Sequence, residues 1–279
     1  MSLIKVGCEL EYNVTQQTNF MIQVAAAETP YQRVTNEKFI VTPAMNATIK
    51  TIGEEGNRIV RLQAQPGTLQ IQYEALVDLH PDLESPPDIG ETPYEELPDS
   101  VLHYLNPSRY CESDRLSRMA WRTFGNVAPG YSRVQKICDW THDHLNYLSG
   151  STDARTSACD SLIQGAGVCR DYAHVAITLC RALCIPARYV SGYAVGLQPP
   201  DFHGFFEAYL DNSWYLFDAT KMVQRSGLVR IGTGRDASDA SFATVIGAAI
   251  LLKMNVHAEQ QSPDKGKDKQ AGEMAISTV

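Results

Sequence analysis

Residues 3–79 place apolar and polar side chains in the alternation of strands. Gln70-Ile71-Gln72-Tyr73-Glu74-Ala75-Leu76-Val77 alternates over most of its length, and Arg58 to Ala64 does so too. Gly53-Glu54-Glu55-Gly56-Asn57 ahead of the latter reads as a turn. No helical period competes there, so residues 1–80 are expected to close as an antiparallel β-sandwich. Residues 81–98 change character. Pro81, Pro86, Pro87, Pro93 and Pro98 stand among many acids, the pattern of an extended, solvated linker.

Helical spacing begins after it. Asp99–Leu105 and Arg115–Phe124 show it. Tyr131–Tyr147 carries Val134, Ile137, Cys138, Thr141 and Leu145 on one face. Asp160–Ile163 reads as a short helix leading into a glycine loop, and an apolar helical pattern opens at Cys169. After Ile185-Pro186, residues 187–195 form a strand. His203–Leu210 and Trp214–Asp218 then form a hairpin around Asp211-Asn212-Ser213. The expected class is α+β, with a catalytic-size unit over 99–257. Residues 258–279 are polar, hold Pro263, Gly266 and Gly272, and are expected to be a disordered tail.

Composition narrows the classes of function. The chain has 279 residues, 44% of them hydrophobic and 20% charged, which is globular. A net charge of −8 argues against nucleic acid or an anionic membrane surface as partner. Seven cysteines is an odd number without the spacing of a disulfide scaffold, so reduced thiols are expected. The first residues carry no long apolar run, and Ala243–Met254 is too short to span a bilayer. A cytoplasmic protein is the expectation.

The chemistry centres on Gly165-Ala166-Gly167-Val168-Cys169-Arg170-Asp171-Tyr172-Ala173-His174. A glycine-punctuated loop delivers Cys169 to the start of a helix, where unpaired N–H groups and the helix dipole favour a thiolate. Two later strand segments each carry one ionisable residue among aromatics: His203 in Asp201-Phe202-His203-Gly204-Phe205 and Asp218 in Trp214-Tyr215-Leu216-Phe217-Asp218. A nucleophilic thiol needs a base, and the base needs a carboxylate to fix its tautomer. Cys169, His203 and Asp218 supply those parts in order. The other six cysteines read as inert core residues.

A metal site is the competing chemistry. On one helix His174 points about 140° away from Cys169, while Cys180 and Cys184 lie roughly 16–22 Å along the axis. Ligands about 2.0–2.3 Å from one zinc cannot be met that way. The same geometry removes His174 as the base. No metal or organic cofactor is expected.

These segments, with Thr156-Ser157-Ala158-Cys159-Asp160 before them and Arg181-Ala182-Leu183-Cys184-Ile185-Pro186-Ala187-Arg188-Tyr189-Val190-Ser191-Gly192-Tyr193 after, strongly resemble the bacterial transglutaminase-like superfamily over about residues 130–250. The N-terminal part resembles the β-rich domain that often precedes this core. The resemblance implies a papain-like core of helices packed on an antiparallel sheet. It also implies Cys169 as nucleophile, His203 as base and Asp218 as orienter. There are departures: Arg170 stands where many relatives have glutamine, Gly204-Phe205 where they have Ala-Trp, and Asp218-Ala219-Thr220 where they have Asp-Pro-Thr.

The expected activity is acyl transfer from a peptide or protein amide through a Cys169 thioester, with hydrolysis favoured over cross-linking. The alternative is a peptide- or protein-binding module with a vestigial triad. One geometric condition has to be met. With a two-residue turn at Asn212-Ser213, His203 faces Met222, and Asp218 is four residues, roughly 13 Å, from that position. The expectation is therefore a wider loop, or a β-bulge, between Glu207 and Leu216.

Overall fold

The computed structural model describes residues 2–261 and 274–278. Six strands open the chain: β1 (Ser2–Val14), β2 (Thr18–Ile22), β3 (Gln32–Thr42), β4 (Lys50–Ile52), β5 (Asn57–Ala64) and β6 (Gly67–Leu79). The alternation read from the sequence is real. In β6, Leu69, Ile71, Tyr73, Ala75, Val77 and Leu79 are buried, while the residues between them are exposed or half-buried. A strand with one face on a core and one toward water has this period.

The segment expected to be a solvated linker is docked instead. It forms the short strand β7 (Asp82–Glu84) and two 3₁₀ turns, and Ile89 and Leu97 are buried. The Ile89 carbonyl accepts from the Tyr131 N–H at 3.0 Å, and that of Gly90 accepts from the Asp211 N–H at 3.1 Å. Two apolar anchors outweigh the prolines and acids around them.

The second half contains α1 (Ser113–Phe124), α2 (Tyr131–His144), β8 (Asn146–Tyr147), α3 (Ala158–Gln164), β9 (Ala166–Gly167) and α4 (Cys169–Ala182). Strands β10 (Ala187–Ala194), β11 (His203–Leu210), β12 (Ser213–Phe217) and β13 (Leu228–Gly234) follow. They form an antiparallel sheet in the order β12-β11-β10-β13. Every residue of β10, β11 and β13 is buried, because both faces of this sheet are covered. On one face α4 packs with α1 and α2 around Phe206, Ala208, Tyr215 and Phe217. From the other, Tyr193, Val229 and Ile231 enter the core of the N-terminal sandwich. There the Tyr193 hydroxyl donates to the Val24 carbonyl at 2.7 Å.

The chain then returns to its beginning. Strands β14 (Ala243–Ile246) and β15 (Ala249–Gln260) complete the two N-terminal sheets, which run β14-β2-β5-β4 and β15-β1-β6-β3. Pairing of β1 with β15 extends from Ile4 opposite Gln260 to Val14 opposite Ala249. Residues 243–257, grouped with the catalytic unit on sequence, thus hydrogen-bond to the N-terminal sheets. Strand β16 (Ala275–Ser277) pairs with β7 and is buried, so residues 275–277 do not behave as a solvated tail. The rest of that expectation, 262–273, falls outside the described residues.

Candidate active site

Cys169 is the first residue of α4, and the loop before it is built for that placement. Gly165 ends α3 in the left-handed region at φ 65°. Gly167 needs its missing side chain: a Cβ there would lie 2.7 Å from that of Asp171. Asp171 is fully buried, and its Oδ2 accepts from the Val168 N–H at 2.9 Å and from the Thr152 hydroxyl at 2.5 Å. The carboxylate satisfies an amide that the helix cannot, and locks the turn into Cys169. Arg170 does not aim its charge at substrate space. Its guanidinium donates to Asp171 Oδ1, to the Thr152 hydroxyl and to the Asp153 carbonyl, each at 3.0 Å through Nη2, and so pins the loop at 152–153.

His203 opens β11 and is almost fully buried. Its Nε2 is 2.9 Å from Asp218 Oδ2. Asp218 is fixed in turn, Oδ1 accepting from the N–H and the hydroxyl of Thr220 at 2.9 and 2.8 Å. His203 Nδ1 is buried without a hydrogen-bond partner, and the Cys169 thiol is the group beside the ring. Burial alone would depress the imidazole. The Asp218 hydrogen bond and the adjacent sulfur outweigh it, and the pKa rises from 6.5 to about 10. Gly204 allows this approach. A Cβ there would meet the Tyr189 hydroxyl at 2.5 Å and the backbone of Arg170 at 3.2 Å, so the position leaves no room for a side chain.

The hairpin meets its geometric condition differently from the expectation. Neither a wide loop nor a bulge is present. The register of β11 and β12 is continuous from Phe206 opposite Phe217 to Leu210 opposite Ser213. The turn residues are Asp211 and Asn212, both with positive φ (43° and 61°), the signature of a type I′ turn. His203 therefore projects onto Thr220, and Asp218 is two residues, not four, from that position. It lies on the same face as His203, at the diagonal spacing that long side chains bridge.

The remaining sequence candidates divide clearly. His174 is fully buried, stacks on Tyr110 at 5.0 Å and accepts from the Ala237 N–H at 3.1 Å. Burial pushes it down to about 3, so it is a neutral acceptor inside the core. Burial pushes the thiols of Cys8 and Cys111 up to about 12 and that of Cys159 up to about 11, and raises Cys138 and Cys180 also. Cys184 departs from the core reading. It is exposed, at φ 64°, in the left-handed position that ends α4, while Ile185 N–H closes onto the Cys180 carbonyl at 3.0 Å. Among the described residues no group of three or more His, Cys, Asp or Glu could hold a metal ion.

One site residue escaped the sequence reading. Helical spacing assigned Tyr147 to α2, but the helix stops at His144 and Tyr147 stands on β8, parallel to β9 and opposite Gly167. Its hydroxyl lies beside Cys169. The alternation of Leu145, Asn146 and Tyr147 was the available signal, too short to compete with the helical period before it.

A thiol at a helix start, beside a strand-borne histidine bonded to a carboxylate on the next strand, defines a transglutaminase-like core. A profile of the transglutaminase-like superfamily matches residues 118–219, and one of the bacterial transglutaminase N-terminal domain matches residues 2–82. The crystal structure of a presumed cysteine protease from Cytophaga hutchinsonii superposes with a TM-score of 0.93 at 38% identity, covering 100% of this chain and 98% of that one. An uncharacterized Mycobacterium leprae protein is 33% identical over 170 residues, 56% of this chain and 60% of the relative. A Mycobacterium tuberculosis protein is 30% identical over 147 residues, 48% of this chain and 45% of the relative. The chain thus spans about half the length of these mycobacterial relatives. It belongs to the transglutaminase-like superfamily.

Proposed function

We propose that the protein is a cysteine hydrolase that cleaves a peptide, protein or isopeptide amide through a thioester on Cys169. The observation that carries this reading is the polarity of His203: Nε2 is held by Asp218 at 2.9 Å, which leaves Nδ1 facing the thiol at the start of α4. In this reading the imidazole, its pKa raised to about 10, already holds the thiol proton on Nδ1 at neutral pH, so the resting pair is thiolate and imidazolium. The sulfur attacks the amide carbonyl, and the imidazolium returns the proton to the departing amine. Asp218 keeps Nε2 protonated and offsets the charge on the ring. Water activated by the same imidazole then releases the acid.

Hydrolysis is preferred to amine transfer because the Cytophaga protein, alike over its whole length, is described as a presumed cysteine protease. The free thiols suit a reducing compartment, and we place the protein in the cytoplasm on that ground. The test is incubation of the full chain with a peptide library and with casein plus a primary amine, read by mass spectrometry. Cleaved peptides or deamidated glutamines are expected. Amine incorporation without hydrolysis would make the protein a cross-linker, and no Cys169-dependent product of any kind would remove the enzymatic reading.

A further inference from the structure

Ile163, near the end of α3, is 83% exposed. A single isoleucine in water needs no explanation, but this one borders a groove left between α1, α2 and α3. The groove encloses about 460 Å³, a volume ordinary for a binding cleft. Leu116 and Met119 form one wall, Trp140 and His144 the second, Leu162 and Ile163 the third. These walls are fixed in advance. Trp140 packs edge-on against Phe124 at 5.9 Å and stacks on His144 at 3.7 Å. Glu112, just before α1, accepts from the Cys159 N–H at 3.0 Å and so ties α1 to α3. Side chains already ordered lose little entropy when a ligand arrives.

The rim of the groove is basic, although the chain as a whole carries a net charge of −8. Arg115 lines it, Arg122 recurs seven positions later on the same helical face, and Arg118 stands between them. Glu112 pairs with Arg115 at 2.8 Å, and Asp114 is the one acid within α1. Arg118 and Arg122 make no ion pair among the described residues. We propose that this groove docks an apolar segment flanked by acidic residues, and that the segment belongs to the protein substrate. Its apolar side chains enter against Trp140 and Ile163, and its carboxylates meet Arg118 and Arg122 at the rim. The proposal rests on the hydrolase reading given above and gives it a substrate class. Position favours it. Helix α3 runs into the loop that delivers the thiol, and Cys169 follows Ile163 by six positions, a span of at most about 22 Å. An extended substrate covers that span with about seven residues.

Fluorescence anisotropy tests the docking without turnover. A fluorescein-labelled peptide of leucine and glutamate is titrated with the full-length protein. It is expected to bind, and to bind more weakly as salt rises. Its counterpart with lysine for glutamate should not bind. Arg118→Glu and Arg122→Glu together should weaken the acidic peptide at least about tenfold and admit the lysine peptide, which also shows the variant to be folded. Ile163→Ser, at a position exposed to water, should weaken the acidic peptide as well. Failure of wild type to bind the acidic peptide overturns the proposal. Equal binding of both peptides, or equal binding by the charge-reversed variant, does so too. The link to the reaction is read from casein hydrolysis, for which the charge-reversed variant should show a raised KM. An unchanged KM would overturn the assignment of the groove to the substrate. If wild type yields no Cys169-dependent product, it is the proposed function that fails, and the anisotropy alone still decides whether the groove binds.

Discussion

Replacing Asp218 by asparagine isolates the histidine–carboxylate pair with almost no change of shape. The Thr220 N–H and hydroxyl, both donating to Asp218 Oδ1, would hold the new amide with its oxygen toward them and its NH₂ toward His203. Nε2 must then accept, so the proton moves to Nδ1, where it blocks transfer from the thiol. Such an inverted tautomer costs about 10⁴-fold in turnover in a serine-type triad, and a loss of about 10³- to 10⁴-fold is expected here. Stability should report the same pair. His203 binds its proton more tightly in the folded chain, with a pKa raised from 6.5 to about 10. The stabilisation this supplies is therefore complete below pH 6.5 and is lost as the pH climbs through 10. It is worth on the order of 5 kcal/mol, at about 1.4 kcal/mol for each tenfold change in proton affinity. In the variant only the Cys169 sulfur still opposes burial, and most of that contribution disappears. Urea unfolding of both proteins from pH 6 to pH 10 should show the largest gap near pH 6, closing toward pH 10. A gap of constant size across this range, or a variant of near wild-type activity, would refute the argument.

Iodoacetamide at pH 6, followed by peptide mapping, should label Cys169 first, because the other thiols except Cys184 are buried; preferential labelling of Cys184 would count against the nucleophile assignment. Cys169→Ala should abolish turnover and leave the chain folded, as circular dichroism would show. Gly204→Ala forces a methyl against the Tyr189 hydroxyl and the Arg170 backbone. It should cost about 1–3 kcal/mol in urea unfolding and slow alkylation of Cys169, and a neutral effect on both would show that the strand can retreat. Glu207→Gln leaves Arg188 and Arg230 buried without their shared carboxylate. A loss of about 3–5 kcal/mol is expected, and a loss under 1 kcal/mol would mean that Glu55, which also binds Arg188, suffices.

The parts of the fold that the sequence revealed are those whose pattern is local. Strands of the N-terminal sandwich show their period because one face is wet, and α4 shows itself through an apolar helical pattern after a glycine loop. What stayed hidden depends on partners far along the chain. Strand β15 reads as an apolar stretch of uncertain use because the strand it pairs with is at the other end of the sequence. Residues 81–98 have a linker's composition, and only the pockets that take Ile89 and Leu97 convert them into packed structure. Cys184 reads as core because sequence alone does not reveal that the chain turns left-handed there.

The candidate site shows how fine the undetermined margin was. Cys169, His203 and Asp218 could be named from residue type and order, but their meeting depends on which two residues make the β11–β12 turn. Placing it at Asn212-Ser213 puts Asp218 four positions from the point opposite His203; placing it at Asp211-Asn212 halves that separation. Both choices keep the same strand parity, so the face on which Asp218 falls is the same, and hydrophobic alternation cannot distinguish them. Backbone conformation does. A two-residue hairpin whose twist matches its strands wants positive φ at both central positions. Asp and Asn adopt that region far more readily than Ser does, since their short side chains bond to the local backbone. Asp211-Asn212 is therefore the preferred pair, and Ser213, with extended backbone, begins the strand. The geometry of the candidate site thus rests on two surface residues remote from the thiol, and on turn chemistry rather than on any special feature of the site.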